Sequence, residues 1–239
     1  MVAWRKGLTA LVLAIGSCAF AAAAADGAQG HPDVDPAQGW IVLFDGTDLG
    51  KWEQMSVRGE AEPGAWVVED GTITRKAKGY LATAAQYGDF ILDLEFKVGP
   101  QTNSGIILRY DPDYSAGQIY WYNGLLEVQL LDCFGKAQPD KHDCGALYDM
   151  IAPSKNPMRA AGEWNRMTIT AKGSRIAVVL NGAKIVDADL DDWTEAEKNP
   201  DGTPNKYHKA MKDVPRRGRI LLQDHPGEIW FRNIHLKPL

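Results

Sequence analysis

The sequence predicts an all-β protein, a sandwich of two packed antiparallel sheets in a jelly-roll-like arrangement. Three observations carry that expectation. Short runs rich in Val, Ile, Tyr and Trp follow one another from residue 40 to the end, at the spacing of all-β proteins. Gly, Asn, Asp and Pro signals separate them, and no long stretch of helical periodicity intervenes. Neither an internal repeat nor a linker divides the series, so the strands are expected to share one core.

The first predicted strand, 41–44, is Ile-Val-Leu-Phe. Strands 66–69 and 72–74 flank Asp70-Gly71, a dipeptide that tolerates the positive φ of a tight hairpin. Strand 80–82 follows. Strand 90–98 alternates cleanly, which turns Leu92, Leu94 and Phe96 to the core and Asp93, Glu95 and Lys97 to the other face. Strands 104–110 and 125–131 are dense in Leu, Ile and Val. Strands 164–171, 175–180 and 184–188 come next, the last two joined by Asn181-Gly182, a strong type I′ hairpin signal. Strands 218–223 and 228–238, on either side of Pro226-Gly227, close the chain. The one long break is 189–217, with a turn at Asn199-Pro200-Asp201-Gly202 and a short helix expected over 207–212. A connection of that length is either a functional lid or a surface insertion.

The domain is expected to occupy 40–239. Ahead of it, Arg5 and Lys6 precede an apolar run that ends in five alanines before Asp26, the pattern of a cleaved signal peptide over 1–25. Residues 26–39 read as a flexible leader. Ile15-Gly16-Ser17-Cys18 also fits a lipobox, in which Cys18 would carry a lipid anchor. Either cleavage predicts an exported protein, periplasmic or secreted. Arg5 and Lys6 leave with the signal and no acid does, so the net charge moves from −5 to −7. An acidic, patternless balance speaks against nucleic-acid partners. No later segment reaches the length of a transmembrane helix. Cys133 and Cys144 remain and, in an oxidising compartment, are expected to form a disulfide across a short loop, worth roughly 2–3 kcal/mol.

Candidate functional residues follow from the strand register. If Val128 and Leu130 face the core, Glu127 and Gln129 project together from the opposite face, and a carboxylate beside an amide suits sugar hydroxyls. Arg109 on the preceding strand, and Glu95 if its strand pairs there, would join them. Gln223, Asp224 and His225 end a late strand, and His225 is the mature chain's best general acid or base by residue type. Trp121 and Tyr122, beside Asn123-Gly124, are the aromatic pair best placed to stack on a sugar ring. The sequence holds no Gly-rich phosphate loop, paired-cysteine zinc site, His-Glu-x-x-His helix or Gly-x-Ser-x-Gly elbow. The position two residues after Glu127 is Gln129, and Asp132 should face the other way. This strand therefore lacks the two carboxyls of an ordinary glycosidase.

Several segments together are more specific. They include Val42-Leu43-Phe44-Asp45-Gly46-Thr47-Asp48-Leu49 with Trp52, Tyr87-Gly88-Asp89-Phe90 with Glu95, and Asn103-Ser104-Gly105-Ile106-Ile107-Leu108-Arg109. Leu126-Glu127-Val128-Gln129-Leu130-Leu131-Asp132, Gly145-Ala146-Leu147-Tyr148 and Gly162-Glu163-Trp164-Asn165 follow, then Leu180-Asn181-Gly182 and Gly218-Arg219-Ile220-Leu221-Leu222-Gln223-Asp224-His225. Ile229-Trp230-Phe231-Arg232-Asn233-Ile234 completes the series. From about Trp40 to Leu239 the chain resembles the 3-keto-disaccharide hydrolase family. That resemblance implies a concanavalin A-like lectin/glucanase jelly roll and action on glycosides oxidised at C3. A 3-keto group acidifies the C2 proton, so one base can start expulsion of the C1 substituent, and no carboxylate pair is needed. On that basis the base is Glu127 or His225, Arg109 stabilises the enolate, and Tyr148 donates to the leaving oxygen. Glu95, Gln129, Gln223 and Trp121 bind substrate. Cofactors stay open: a divalent metal could replace the cation, but no motif supports one. A non-catalytic carbohydrate-binding module and a conventional endoglycosidase are the competing readings.

Overall fold

The computed structural model describes Met1 and residues 36–56, 64–111, 113 and 125–239. The expected signal peptide, Cys18, most of the leader, Trp121 and Tyr122 lie outside the described residues.

The strands in chain order are β1 (Ile41–Phe44), β2 (Trp52–Met55), β3 (Trp66–Glu69), β4 (Thr72–Arg75), β5 (Tyr80–Thr83), β6 (Phe90–Val98) and β7 (Asn103–Tyr110). After them come β8 (Leu126–Leu131), β9 (Trp164–Lys172), β10 (Arg175–Leu180), β11 (Ala183–Asp189), β12 (Arg219–Leu222) and β13 (Ile229–Pro238). All but β2 match a predicted run to within a residue at each end. In β2, Trp-Glu-Gln-Met, only the tryptophan is buried, so no apolar alternation marks it. Both predicted hairpins form: Asp70-Gly71 and Asn181-Gly182 have positive φ at both residues.

Two antiparallel sheets make the sandwich. One runs β11-β10-β9-β6-β13-β4-β3, with β1 also paired to β13; the other runs β2-β5-β12-β7-β8. The core lies between them. Phe90, Leu92, Leu94, Phe96, Ile169, Val178 and Phe231 come from the larger sheet, and Ile106, Val128, Leu130, Ile220 and Leu222 from the smaller. Each such side chain contributes roughly 1.5–3 kcal/mol by leaving water. The smaller sheet also carries a second apolar cluster of Tyr80, Ala82, Ile107, Tyr110, Leu125 and Leu221. These alternate along their strands with the core residues, so they belong to the sheet's other face.

Segments outside the strands build up this second face. Gly145 and Tyr148 donate to the carbonyls of Gln129 and Glu127, and Ala146 accepts from Gln129, so β8 is not an open edge. The connection after β11 holds two short 3-10 turns, Leu190–Asp192 and Met211–Asp213. The helix expected over 207–212 does not form. Ala210, inside that span, is extended at φ −63 and ψ 133, and the Tyr207 carbonyl accepts from the Glu197 amide. Trp193, Tyr207 and Met211 are buried and Trp193 Nε1 donates to Asn199 Oδ1 at 2.8 Å, so this connection is a packed strut. Cys133 and Cys144 are both buried and lie close together, but their thiols are free and the expected disulfide is not formed. Cys133 Sγ instead engages Asn156 Oδ1 and the Cys144 amide.

Candidate active site

The site grows from the alternation of β8. Val128 and Leu130 are completely buried in the core, and Glu127 and Gln129 emerge on the second face of the smaller sheet. Across β7, Gly105 stands opposite Gln129 and Ile107 opposite Glu127. A methyl group at Gly105 would lie 2.5 Å from Glu127 Oε1 and 3.0 Å from its Cγ. The absent side chain lets the Glu127 carboxyl lie across β7. There Gln223 Nε2, just past the end of β12, donates to Glu127 Oε1 at 2.9 Å.

These groups open onto a cavity of about 310 Å³ lined by Tyr80, Asn103, Glu127, Gln129, Tyr148, Lys206, Gln223 and His225. Among the described residues that line it, Glu127 is the one carboxylate. Burial pushes the Glu127 carboxyl up to about 7, against the opposing effects of Lys206 and of the bond from Gln223. Burial lowers the Lys206 ammonium to about 8, with Glu127 and Asp149 pulling the other way. The His225 imidazole is also lowered, chiefly by burial and only partly offset by Asp224. Gln223 must turn its NH₂ group to the carboxyl, which leaves its carbonyl oxygen buried without a protein partner; Gln129 Oε1 is in the same condition. Two buried acceptors on a cavity wall match the donor hydroxyls of a polyol.

The turn carrying His225 is held on several sides. Gln223 donates through its amide to the Gly105 carbonyl, Ser104 Oγ donates to the Gln223 carbonyl, and the Asn103 amide donates to the Pro226 carbonyl. Asp224 accepts from Arg75 Nη1 at 3.0 Å and from the Gly79 amide at 2.9 Å, so its part is to clamp the turn. Tyr148 is placed by its bond to β8, and Tyr207 Oη donates to the Tyr148 carbonyl at 2.7 Å.

Of the expected site residues, Glu127, Gln129, Tyr148, Gln223 and His225 line this cavity, while Trp121 lies outside the described residues. Arg109 is elsewhere. It has φ +54, and the β7–β12 register slips there, so a bulge turns its side chain away and gives Tyr110 the place on the face. The guanidinium donates to the carbonyls of Gly88 and Gly173 and to Asp89 Oδ1. Gly218 permits the bulge, since a Cβ there would lie 2.4 Å from the Arg109 and Tyr110 carbonyl oxygens. Glu95 is on the other sheet, because β6 pairs with β9 and β13, and it is bound by Arg232. The residues missed in the sequence are Tyr80, Asn103 and Lys206. Asn103 was legible in principle from its place at the head of β7, but nothing local marks Lys206.

No group of three or more His, Cys, Asp or Glu side chains is placed to hold a metal ion among the described residues. Among the described residues, the carboxylate and amide oxygens lining the cavity belong to Glu127, Asn103, Gln129 and Gln223, beside the phenols of Tyr80 and Tyr148.

A sheet face that carries a buried carboxyl among amides, tyrosines and unpartnered acceptors offers the groups that bind sugar hydroxyls, and the family match places the chain in the carbohydrate-active class. The chain belongs to the 3-keto-alpha-glucoside-1,2-lyase-like domain family, whose model matches residues 39–237. It is 27% identical over 234 residues to a 3-keto-disaccharide hydrolase of Bacteroides thetaiotaomicron, spanning 85% of this chain and 79% of that protein. A candidate glycosyl hydrolase structure from Parabacteroides distasonis superposes with a TM-score of 0.71 at 32% identity, covering 84% of this chain and 99% of that one. A second from the same organism gives 0.68 at 26% identity, covering 85% and 95%.

Proposed function

We propose that this protein is an exported enzyme that cleaves 3-keto-glycosides or 3-keto-disaccharides by removing the proton at C2. The observation that carries the reading is Glu127: the one carboxyl among the described residues lining the cavity, buried, with its proton affinity raised to about 7. A base with that proton affinity is half ionised at neutral pH and can both take and return a proton. Its solitude fits the chemistry, because elimination next to a ketone needs one base, whereas direct glycoside hydrolysis needs two carboxyls.

The steps balance as follows. Glu127 takes the C2 proton, and the C2–H electron pair forms the enolate with the C3 oxygen. The enolate reforms the ketone, a C1–C2 double bond forms, and the C1–O bond breaks with its electrons on the departing oxygen, which receives a proton from Tyr148. Glu127 returns its proton to the tyrosine, directly or through His225. Water adding at C1 gives net hydrolysis; release before addition gives a lyase product. The buried carbonyls of Gln129 and Gln223 accept from sugar hydroxyls and orient the ring.

The test is a product assay with a 3-keto-disaccharide and its unoxidised parent, with and without EDTA. Turnover of the oxidised sugar alone is expected. Cleavage of the parent would mean a conventional endoglycosidase. Binding of unmodified glycans without turnover of either sugar would mean a carbohydrate-binding module.

A further inference from the structure

We propose that Lys206 is a catalytic residue whose ammonium group binds the C3 oxygen as the enolate forms. This rests on the reading of the site given above and identifies the cation that reading requires. Proton transfer to Glu127 turns a carboxylate, an ammonium and a neutral ketone into a carboxylic acid, an ammonium and an enolate. One negative charge moves from Glu127 Oε to the sugar C3 oxygen and none is created. A fixed cation that faces both positions stabilises the product of that transfer without rearrangement. Arg109 cannot serve, because its guanidinium is bound to Gly88, Gly173 and Asp89. Lys206 and Glu127 line the same cavity and attract each other across it.

The lysine is also held in place. Its Nζ lies 3.6 Å from the centroid of the Tyr148 ring and 5.6 Å from that of Tyr207. Its backbone amide donates to Asp149 Oδ2 at 2.7 Å, and the adjoining Tyr207 is fully buried with its hydroxyl on the Tyr148 carbonyl. The strut after β11 therefore delivers one cation beside the tyrosine assigned to the leaving oxygen. Among the described residues, the titratable groups around the ammonium include Glu127 from β8, Tyr148 and Asp149 from the segment after it, Tyr207 from its own segment, and Tyr80 and His225 on the cavity wall. Lys141 and His142 meet Asp149.

The experiment follows a 3-keto-disaccharide by NMR in D₂O, reading exchange at C2 and release of the C1 substituent together, for the wild type, Lys206→Met and Lys206→Arg. Methionine keeps the side chain as far as Cε and the backbone bond to Asp149 but removes the charged nitrogen. Lys206→Met should slow both exchange and release by roughly 10²–10³-fold, the range seen when one oxyanion donor is removed. Lys206→Arg should recover at least about tenfold of that loss and move the alkaline limb of the rate profile upward, because arginine stays charged. If the methionine variant falls below the folding limit, that alkaline shift in the arginine variant decides the question. A wild type that turns over while Lys206→Met stays within about threefold of it would overturn the role of Lys206 and leave the proposed reaction standing. A borohydride-trapped sugar adduct on Lys206 would overturn it too, in favour of an imine. A wild type with neither exchange nor release would sink the proposed reaction, and this role with it.

Discussion

Replacing Glu127 with glutamine should slow turnover sharply and make the protein more stable, and both effects have one origin. Glu127 is 4% exposed, and burial lifts its carboxyl from 4.5 to about 7. Linkage converts that gap into roughly 3 kcal/mol that the fold loses by carrying the carboxylate rather than the acid. The sign follows from the folded value lying above the unfolded one: this stability is fully present below about pH 4.5 and is lost as pH rises through about 7. Glutamine has the shape of the neutral acid, and its Oε1 can still accept from Gln223 Nε2. The attraction of Lys206 and the bond from Gln223 are already contained in that raised value. An advantage of about 3 kcal/mol at pH 8 corresponds to about 6–12 °C in Tm for a domain of this size. Calorimetry of both proteins at pH 8 and pH 4.5 checks it, and the difference should vanish at the lower pH. Activity on a 3-keto-disaccharide should fall by about 10³-fold, within the range of general-base catalysis. Equal Tm values at pH 8, or a less stable variant, would show that Glu127 is not ionised against a burial penalty, and the argument for its raised proton affinity would fail.

Gly105→Ala should lower kcat by about 10–100-fold with little change in Tm, because the new methyl displaces the Glu127 carboxyl from its place across β7; steady-state kinetics with an unchanged kcat would show that this placement is unimportant. Arg109→Met should cost about 2–4 kcal/mol of stability through loss of its bonds to Asp89, Gly88 and Gly173, while the folded fraction keeps its kcat. A selective loss of kcat there would return Arg109 to the chemistry. The kcat/KM profile should be a narrow bell, rising through about 7 as Glu127 loses its proton and falling through about 8 as Lys206 does, with both constants belonging to the interacting pair. A rate that stays flat across both limbs would contradict the assignment.

Much of the fold was legible because strand alternation and hairpin chemistry are local. Leu92, Leu94 and Phe96 marked the inner face of β6, and Asn181-Gly182 marked the β10–β11 turn, without reference to anything distant in the chain. The same local rule placed Glu127 and Gln129 side by side, and the helix expected over 207–212 failed where Ala210 is extended and the Glu197 amide bonds the Tyr207 carbonyl, contacts that outweigh local preference.

The sequence by itself therefore determined the class of fold, the family, the faces of the strands and the central carboxyl of the site, since each depends on neighbours in the chain. The tertiary structure decided which strands share a sheet, and so removed Glu95 from the site by pairing β6 with β9 and β13. It also decided that Gly218 packs against the peptide after Arg109, where the bulge turns that cation away, and that a strut nearly eighty residues beyond Glu127 brings Lys206 back to the same cavity. Alternation carries no information about contacts closed by distant segments. The charge balance of the site, which rests on such a contact, exists only once the chain has folded.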